Sequence, residues 1–301
     1  MIQRRTDLAL EAHALWRERA EDTSALPGVR CREEERAGCP ITRVDILDRR
    51  GAEALGKPEG HYVTVDLSAL SRREEDSFAR SVEAVADELR GLMGDLPPSA
   101  PVLVAGLGNR AITPDAVGPR TADLTLVTRH LTDDPLFASF RPVAALAAGP
   151  MGTTGLESGE LIRAAAERIQ PALVIAVDAL VSRSLERLGR TVQLSDTGIA
   201  PGSGVGNHRA PLDRGTLGVP VIAVGAPTVV EAATLCADVL AQAGREDLDP
   251  EALRGAAAGV IVAPRETDRQ TADLSRVLGC AITLALQPGL SLRDVEMLVD
   301  G

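Results

Sequence analysis

Five short runs made only of apolar residues, at 102–105, 143–147, 173–177, 219–224 and 260–262, alternate with segments whose apolar residues recur at helical spacing. A strand without a polar face must be buried on both sides, and the helical segments at 116–128, 156–169, 228–243 and 267–286 are what can cover it. The alternation predicts an α/β fold, a three-layer α/β/α sandwich with a mainly parallel sheet. Upstream, 8–20 reads as a helix after Thr6-Asp7, and a polar loop is expected to about Pro40. Residues 41–47 and 62–67 alternate apolar and polar, so 41–67 should form a small antiparallel edge layer. Helical spacing returns over 78–92 until Pro97-Pro98. Residues 8–301 thus read as a single α/β domain, with 1–7 ahead of it and the stretch around 244–258 as a surface excursion.

Composition narrows the function classes. Lys and Arg number 32 against 43 Asp and Glu, a net charge of −11 without a basic block, which argues against direct nucleic-acid contact and against an anionic membrane. Aromatic residues are 2%, too few for base-stacking platforms. No apolar run approaches a membrane span, and the charged first seven residues lack the apolar stretch of an export signal, so a cytoplasmic location is expected. Cys31, Cys39, Cys236 and Cys280 are too few for a disulfide framework and read as free thiols, the last two in the core.

Ligands of parallel sheets bind beyond the carboxyl ends of the strands, and the residues found there are glycines, carboxylates and small hydroxyls. Gly106-Leu107-Gly108 lacks the third glycine of a dinucleotide loop, and no phosphate-loop lysine motif exists. Ser203 sits in Gly202-Ser203-Gly204, but Pro201 occupies the place of the first glycine of a nucleophile elbow. The histidines, His13, His61, His130 and His208, are scattered. What remains is a pair of carboxylates working together, one accepting a proton from water while the other donates to a carbonyl oxygen. Asp115 follows Thr113-Pro114, a helix-start signature that would set its charge at a helix N-terminus. Asp178 ends five apolar residues, where a charge is costly unless paired or used. Asp196-Thr197-Gly198 matches the aspartic-protease triplet, but once only and in an α/β chain, so Asp196 reads as a loop-shaping residue near the groove.

The longer motifs resemble the germination protease of spore-forming bacteria. They are Arg5-Thr6-Asp7-Leu8-Ala9, Gly106-Leu107-Gly108-Asn109, Thr113-Pro114-Asp115-Ala116-Val117-Gly118-Pro119, Val127-Thr128-Arg129-His130-Leu131, Ala176-Val177-Asp178-Ala179-Leu180 and Ser195-Asp196-Thr197-Gly198-Ile199, then Pro201-Gly202-Ser203-Gly204-Val205-Gly206-Asn207. The resemblance implies an endopeptidase of the spore core that starts the breakdown of small acid-soluble spore proteins, an atypical aspartic peptidase whose catalytic aspartates fall on Asp115 and Asp178. It implies a fold similar to hydrogenase maturation endopeptidases, a homotetramer, and a zymogen that removes its own N-terminal segment. The segment at 244–258 is shorter than in the family, which bears on the tetramer contacts.

No cofactor is expected. The rival reading is a carboxylate metal site of Asp115, Asp178 and Glu157, in a metal-dependent peptidase or a nickel-sensing maturation protease; a third is a catalytically silent binding protein of the same fold. Gly149, Gly152, Gly202, Gly204 and Gly206 are candidates for lining a groove in which an extended peptide is held by main-chain hydrogen bonds. Residues 1–7 are the candidate propeptide: short, polar and expected to be mobile, with self-cleavage between Asp7 and Leu8 where the packed helix begins.

Overall fold

The computed structural model describes residues 6–19, 26–202, 210–244 and 259–299, with Gly255 and Ala257. Its centre is a nine-stranded sheet. In chain order the strands are β1 (Val29–Arg36), β2 (Cys39–Ile46), β3 (Gly60–Asp66), β4 (Val102–Gly106), β5 (Val143–Ala147), β6 (Leu173–Ser182), β7 (Thr191–Ser195), β8 (Val221–Glu231) and β9 (Ile261–Val262). The order across the sheet is β1-β2-β3-β7-β8-β6-β4-β5, with β9 on β8. Strands β8, β6, β4 and β5 run parallel, as the apolar runs within them predict, and β6 and β8 are buried along almost their whole length. The antiparallel strands expected over 41–67 continue this same sheet through β7.

The helices longer than one turn among the described residues are α1 (Ala9–Arg19), α2 (Arg49–Leu55), α3 (Ser77–Met93), α4 (Val117–Asp123), α5 (Ser158–Ile169), α6 (Ala232–Gln242), α7 (Thr267–Leu286) and α8 (Leu292–Val299). On one face α3 and α7 bury Val82, Val85, Leu89, Leu274, Val277 and Leu278 against Val63, Val65, Val104, Ile175, Val177, Val192, Leu194 and Val224 in one continuous core. The other face is split. Ile162 and Ala166 of α5 pack on Leu103, Ala105, Val174 and Ala176, while Ala9 and Leu10 of α1 and Leu55 of α2 pack with Val44, Ile46 and Tyr62. Between these two clusters lie Asp178 of β6, Gln193 and Ser195 of β7 and Gly225 of β8, which belong to neither and line the site described below.

Four expectations are corrected. Residues 29–36, expected as loop, are an edge strand: Ala37 (φ 50°) and Gly38 (φ 74°) form a two-residue hairpin turn that zips Arg36 opposite Cys39. The charges that hid this strand from a hydrophobic pattern are what guard an exposed edge. Residues Thr228 to Glu231, expected to open a helix, extend β8 instead, because Val229 and Val230 pair with Val181 and Ser182 beyond a bulge at Leu180/Val181. That irregularity accommodates Pro227, which has no N–H to give. The run at 260–262 becomes the short β9, antiparallel to β8 and not parallel. Finally, Cys236 is exposed on α6, whereas Cys280 is buried in α7 as expected. The short excursion at 244–258 lies almost wholly outside the described residues. No helix among the described residues is long and apolar enough to cross a membrane.

Candidate active site

Strand pairing builds the site. β4 ends at Gly106, opposite Val177, and β6 runs on, so Asp178 is the first residue of β6 to lose its β4 neighbour while remaining paired with Gly225 of β8. It therefore sits inside a strand, and not at a strand's end as the apolar run suggested. The residue is 7% exposed, and its Oδ1 accepts a hydrogen bond from the Ala179 amide at 2.9 Å.

Asp115 is brought up by the loop that follows β4. Gly108, at φ +108°, lies so close to this residue that a Cβ there would stand 2.1 Å from the Asp115 carbonyl oxygen. The Asn109 amide donates to both the Asp115 carbonyl (3.0 Å) and Oδ2 (2.8 Å). Thr113 to Asp115 form a 3-10 turn with Pro114 in its first positions, and α4 starts only at Val117, so the Thr-Pro pair sets a turn before the helix and Thr113 makes no side-chain cap. Gly118 then seats α4 on the strands: a Cβ there would lie 2.2 Å from the Leu107 oxygen and 2.4 Å from the Val177 oxygen.

Asp115 and Asp178 line one cavity of about 480 Å³. Gly202 lines it too, as do Thr197, Ser195, Gln193, Tyr62, Asp213 and Lys57. Gly149 and Gly152 are outside the lining; Gly149 accepts from the Ser158 hydroxyl, and Gly152 has open space around it. Gly204 and Gly206 lie outside the described residues. Asp196 shapes the wall from behind, its Oδ1 accepting from the His61 amide at 2.8 Å. Burial pushes the Tyr62 hydroxyl up to about 12, against the lowering effect of Thr197 and with the help of the Asp196 charge, so it is a neutral donor, and it gives its proton to the Pro58 carbonyl at 2.9 Å.

The metal trio is not assembled. Glu157 takes part in a capping box at the head of α5, its amide donating to Glu160 Oε2 at 3.0 Å, and it is absent from the cavity lining. Among the described residues no three His, Cys, Asp or Glu side chains come together as a metal-binding group.

The chain's own N-terminal segment reaches this cavity, and its last residue is held in place where mobility was expected. The Asp7 amide donates to the Val181 carbonyl (2.9 Å), and the Val181 amide donates to Asp7 Oδ2 (2.8 Å). Lys57 Nζ donates to the Asp7 carbonyl at 2.8 Å, and Gln193 Nε2 donates to the same oxygen at 3.2 Å. Leu8 is fully buried. Behind it Glu11, 3% exposed, accepts from the Ser182 hydroxyl (2.8 Å), the Arg183 amide (2.8 Å) and the Ser184 amide (3.2 Å), and also from the Thr6 hydroxyl.

Lys57, Gln193 and Tyr62 escaped the sequence reading. Thr191, Gln193 and Ser195 form the polar half of an alternating strand, and a polar half suggests solvent; here all five residues of β7 are buried, and Gln193 and Ser195 line the cavity. Lys57 stands in a turn after α2 and has no motif to mark it.

The sequence profile of the germination protease family matches residues 9–249. The germination protease of Caldanaerobacter subterraneus is 41% identical, covering 98% of each chain, and that of Clostridium perfringens is 39% identical over 98% of this chain and 99% of its own. The Bacillus cytotoxicus germination protease is 43% identical over 80% of this chain and 68% of its own. Among solved structures, a NiFe hydrogenase maturation protease from Thermococcus kodakarensis aligns with 64% of this chain and 98% of its own, at 18% identity and a TM-score of 0.33. A match of this extent, over a chain whose carboxylates share one cavity, makes the protein a peptidase of spore germination: it belongs to the germination protease family.

Proposed function

We propose that the protein is an aspartic-type endopeptidase in which Asp115 and Asp178 act as a general acid/base pair. One carboxylate takes a proton from water, the water oxygen attacks the substrate carbonyl carbon, and the protonated partner supplies the proton that the departing amine needs. The observation that carries this reading is that both carboxylates line one cavity, where among the described residues no His or Cys is present to act as base or nucleophile. The mechanism requires one proton between the two carboxylates, so that one is ready to act as base while the other acts as acid.

The substrates in this reading are small acid-soluble spore proteins, cleaved in the spore core at germination, and the enzyme is a homotetramer made as a zymogen. Self-processing falls between Asp7 and Leu8, and its support is that Asp7 already lines the cavity with its carbonyl oxygen gripped by two donors. Intact mass decides the matter. The wild type should lose residues 1–7 on incubation at mildly acidic pH, whereas Asp115→Asn and Asp178→Asn should keep them and should not cleave a small acid-soluble spore protein. Exhaustive chelation should leave the wild-type rate unchanged; a rate abolished by chelation and restored by a divalent metal would instead favour a metallopeptidase. A wild-type protein inert toward every such substrate would favour a binding protein.

A further inference from the structure

Gln193 of β7, Gly225 of β8 and Asp178 of β6 stand in one row across the sheet, so the side chains of Gln193 and Asp178 project from the same face with only a glycine between them. Gln193 holds the N-terminal segment at two points. Its Oε1 accepts from the Ala9 amide at 2.7 Å, and its Nε2 donates to the Asp7 carbonyl at 3.2 Å. One carboxamide thus bonds main-chain atoms on both sides of a single peptide bond, Asp7–Leu8. The Ala9 bond also fixes which end of the amide faces Asp7, since only the oxygen can accept from an N–H.

The same carbonyl oxygen receives Lys57 Nζ at 2.8 Å. Lys57 is half-buried beside the carboxylates of Asp7 and Glu11; desolvation lowers its pKa while those two charges act in the opposite sense. Two donors converging on one carbonyl oxygen, one of them an ammonium in a partly dry cavity, are the arrangement that stabilises negative charge forming on that oxygen. The Asp7 carboxylate accepts from the Val181 amide, and Lys57 Nζ donates to the carbonyl of the same residue.

We propose that Lys57 is a catalytic residue of the peptidase, polarising the carbonyl of the bond to be cut, with Gln193 as the second donor and the aligner of the peptide. This rests on the aspartic reading of Asp115 and Asp178 for the attacking water. As water adds to the carbonyl carbon, its proton passes to a carboxylate and the carbonyl π electrons move onto the oxygen, where Lys57 Nζ–H and Gln193 Nε2–H receive the charge. The carbonyl re-forms as the C–N bond breaks, and the nitrogen leaves with a proton from the carboxyl partner. With the oxyanion held by Lys57, that partner's proton is kept for the nitrogen, the poorer leaving group. The acidic side chain before the cut is read by the Val181 amide, so Asp or Glu should be favoured there.

The test uses the full chain. Self-cleavage is followed by intact mass for the wild type, Lys57→Met, Lys57→Arg, Gln193→Met and Asp178→Asn, with amide hydrogen exchange over residues 6–15 reporting whether the segment is still docked. Losing one such donor costs on the order of 10²–10³ in rate. Lys57→Met should therefore slow cleavage by about 100-fold or more while the Leu8 and Ala9 amides stay protected, and Lys57→Arg should recover part of the rate. In hydrolysis of a synthetic Thr-Asp-Leu-Ala peptide in trans, kcat should fall and KM should hold. Unchanged cleavage by Lys57→Met, a loss of rate that merely tracks loss of amide protection, or a rise in KM at constant kcat would each overturn the assignment. Wild-type cleavage by Asp178→Asn would remove the carboxylate pair and leave Lys57 to be judged on its own kcat. A wild type that cleaves neither its own N-terminus nor the peptide overturns both.

Discussion

Replacing Gly118 by alanine tests whether the site depends on how closely α4 sits on the sheet. Gly118 is in helical backbone, which alanine adopts more readily than glycine, so on local grounds the change should stabilise by up to about 1 kcal/mol. The tertiary environment says the reverse. The new methyl carbon would stand 2.2 Å from the Leu107 oxygen, 2.4 Å from the Val177 oxygen and 2.6 Å from the Leu107 nitrogen, all backbone atoms of the segments that carry the two aspartates. Real Cβ contacts essentially never fall under 3.0 Å, so α4 must lift by about 0.8 Å, and overpacking of this kind costs about 1–3 kcal/mol. Asp115 is three residues before Gly118 and moves with it. A displacement near 1 Å between reacting groups costs about 100-fold in rate. Urea denaturation and peptide hydrolysis, measured on the same preparation, should show both losses. A Gly118→Ala protein as stable and as active as the wild type would refute the claim that this contact positions Asp115.

Glu11→Gln should lower stability by about 2–3 kcal/mol in urea melts, because the new NH₂ group faces N–H donors where a carboxylate now accepts from Arg183 and Ser184 amides and lies 3.4 Å from Arg187; a loss below about 0.5 kcal/mol would show the network to be dispensable. Arg141, 5% exposed, gives its guanidinium to the carbonyls of Pro97, Ala100, Leu96 and Leu286, so Arg141→Met should cost about 2–4 kcal/mol without changing KM. Asp45 is 5% exposed; burial alone would raise its pKa, but hydrogen bonds and charges from His61 and Arg32 hold it below the usual 3.8. Its contribution is therefore present above the unfolded value and lost as pH falls through the folded one, so the destabilisation caused by Asp45→Asn at pH 7 should fade in melts made at successively lower pH below 3.8; a pH-independent difference would contradict this.

The apolar runs at 102–105 and 173–177 were legible as buried parallel strands because a strand without a polar face has one stable environment; the run at 143–147 is a parallel strand too, but it stands at the sheet edge and is only half-buried beyond Val143, and the 267–286 helix was legible from its spacing alone. Asp178 stood out for a related reason: a carboxylate that ends an apolar run conflicts with its surroundings, and the conflict shows in one dimension, whereas Asp115 stood out by the Thr113-Pro114 pair before it. Tertiary contacts decided the rest. Whether 29–36 is a loop or a strand depends on β2 arriving as a partner, and whether Thr228 begins a helix or prolongs β8 depends on β6 extending to meet it. Lys57, Gln193 and Val181 are far apart in the chain and carry no motif. They meet at the Asp7 peptide because the helices on that face of the sheet part into two clusters, a consequence of packing between distant segments that local sequence pattern does not encode.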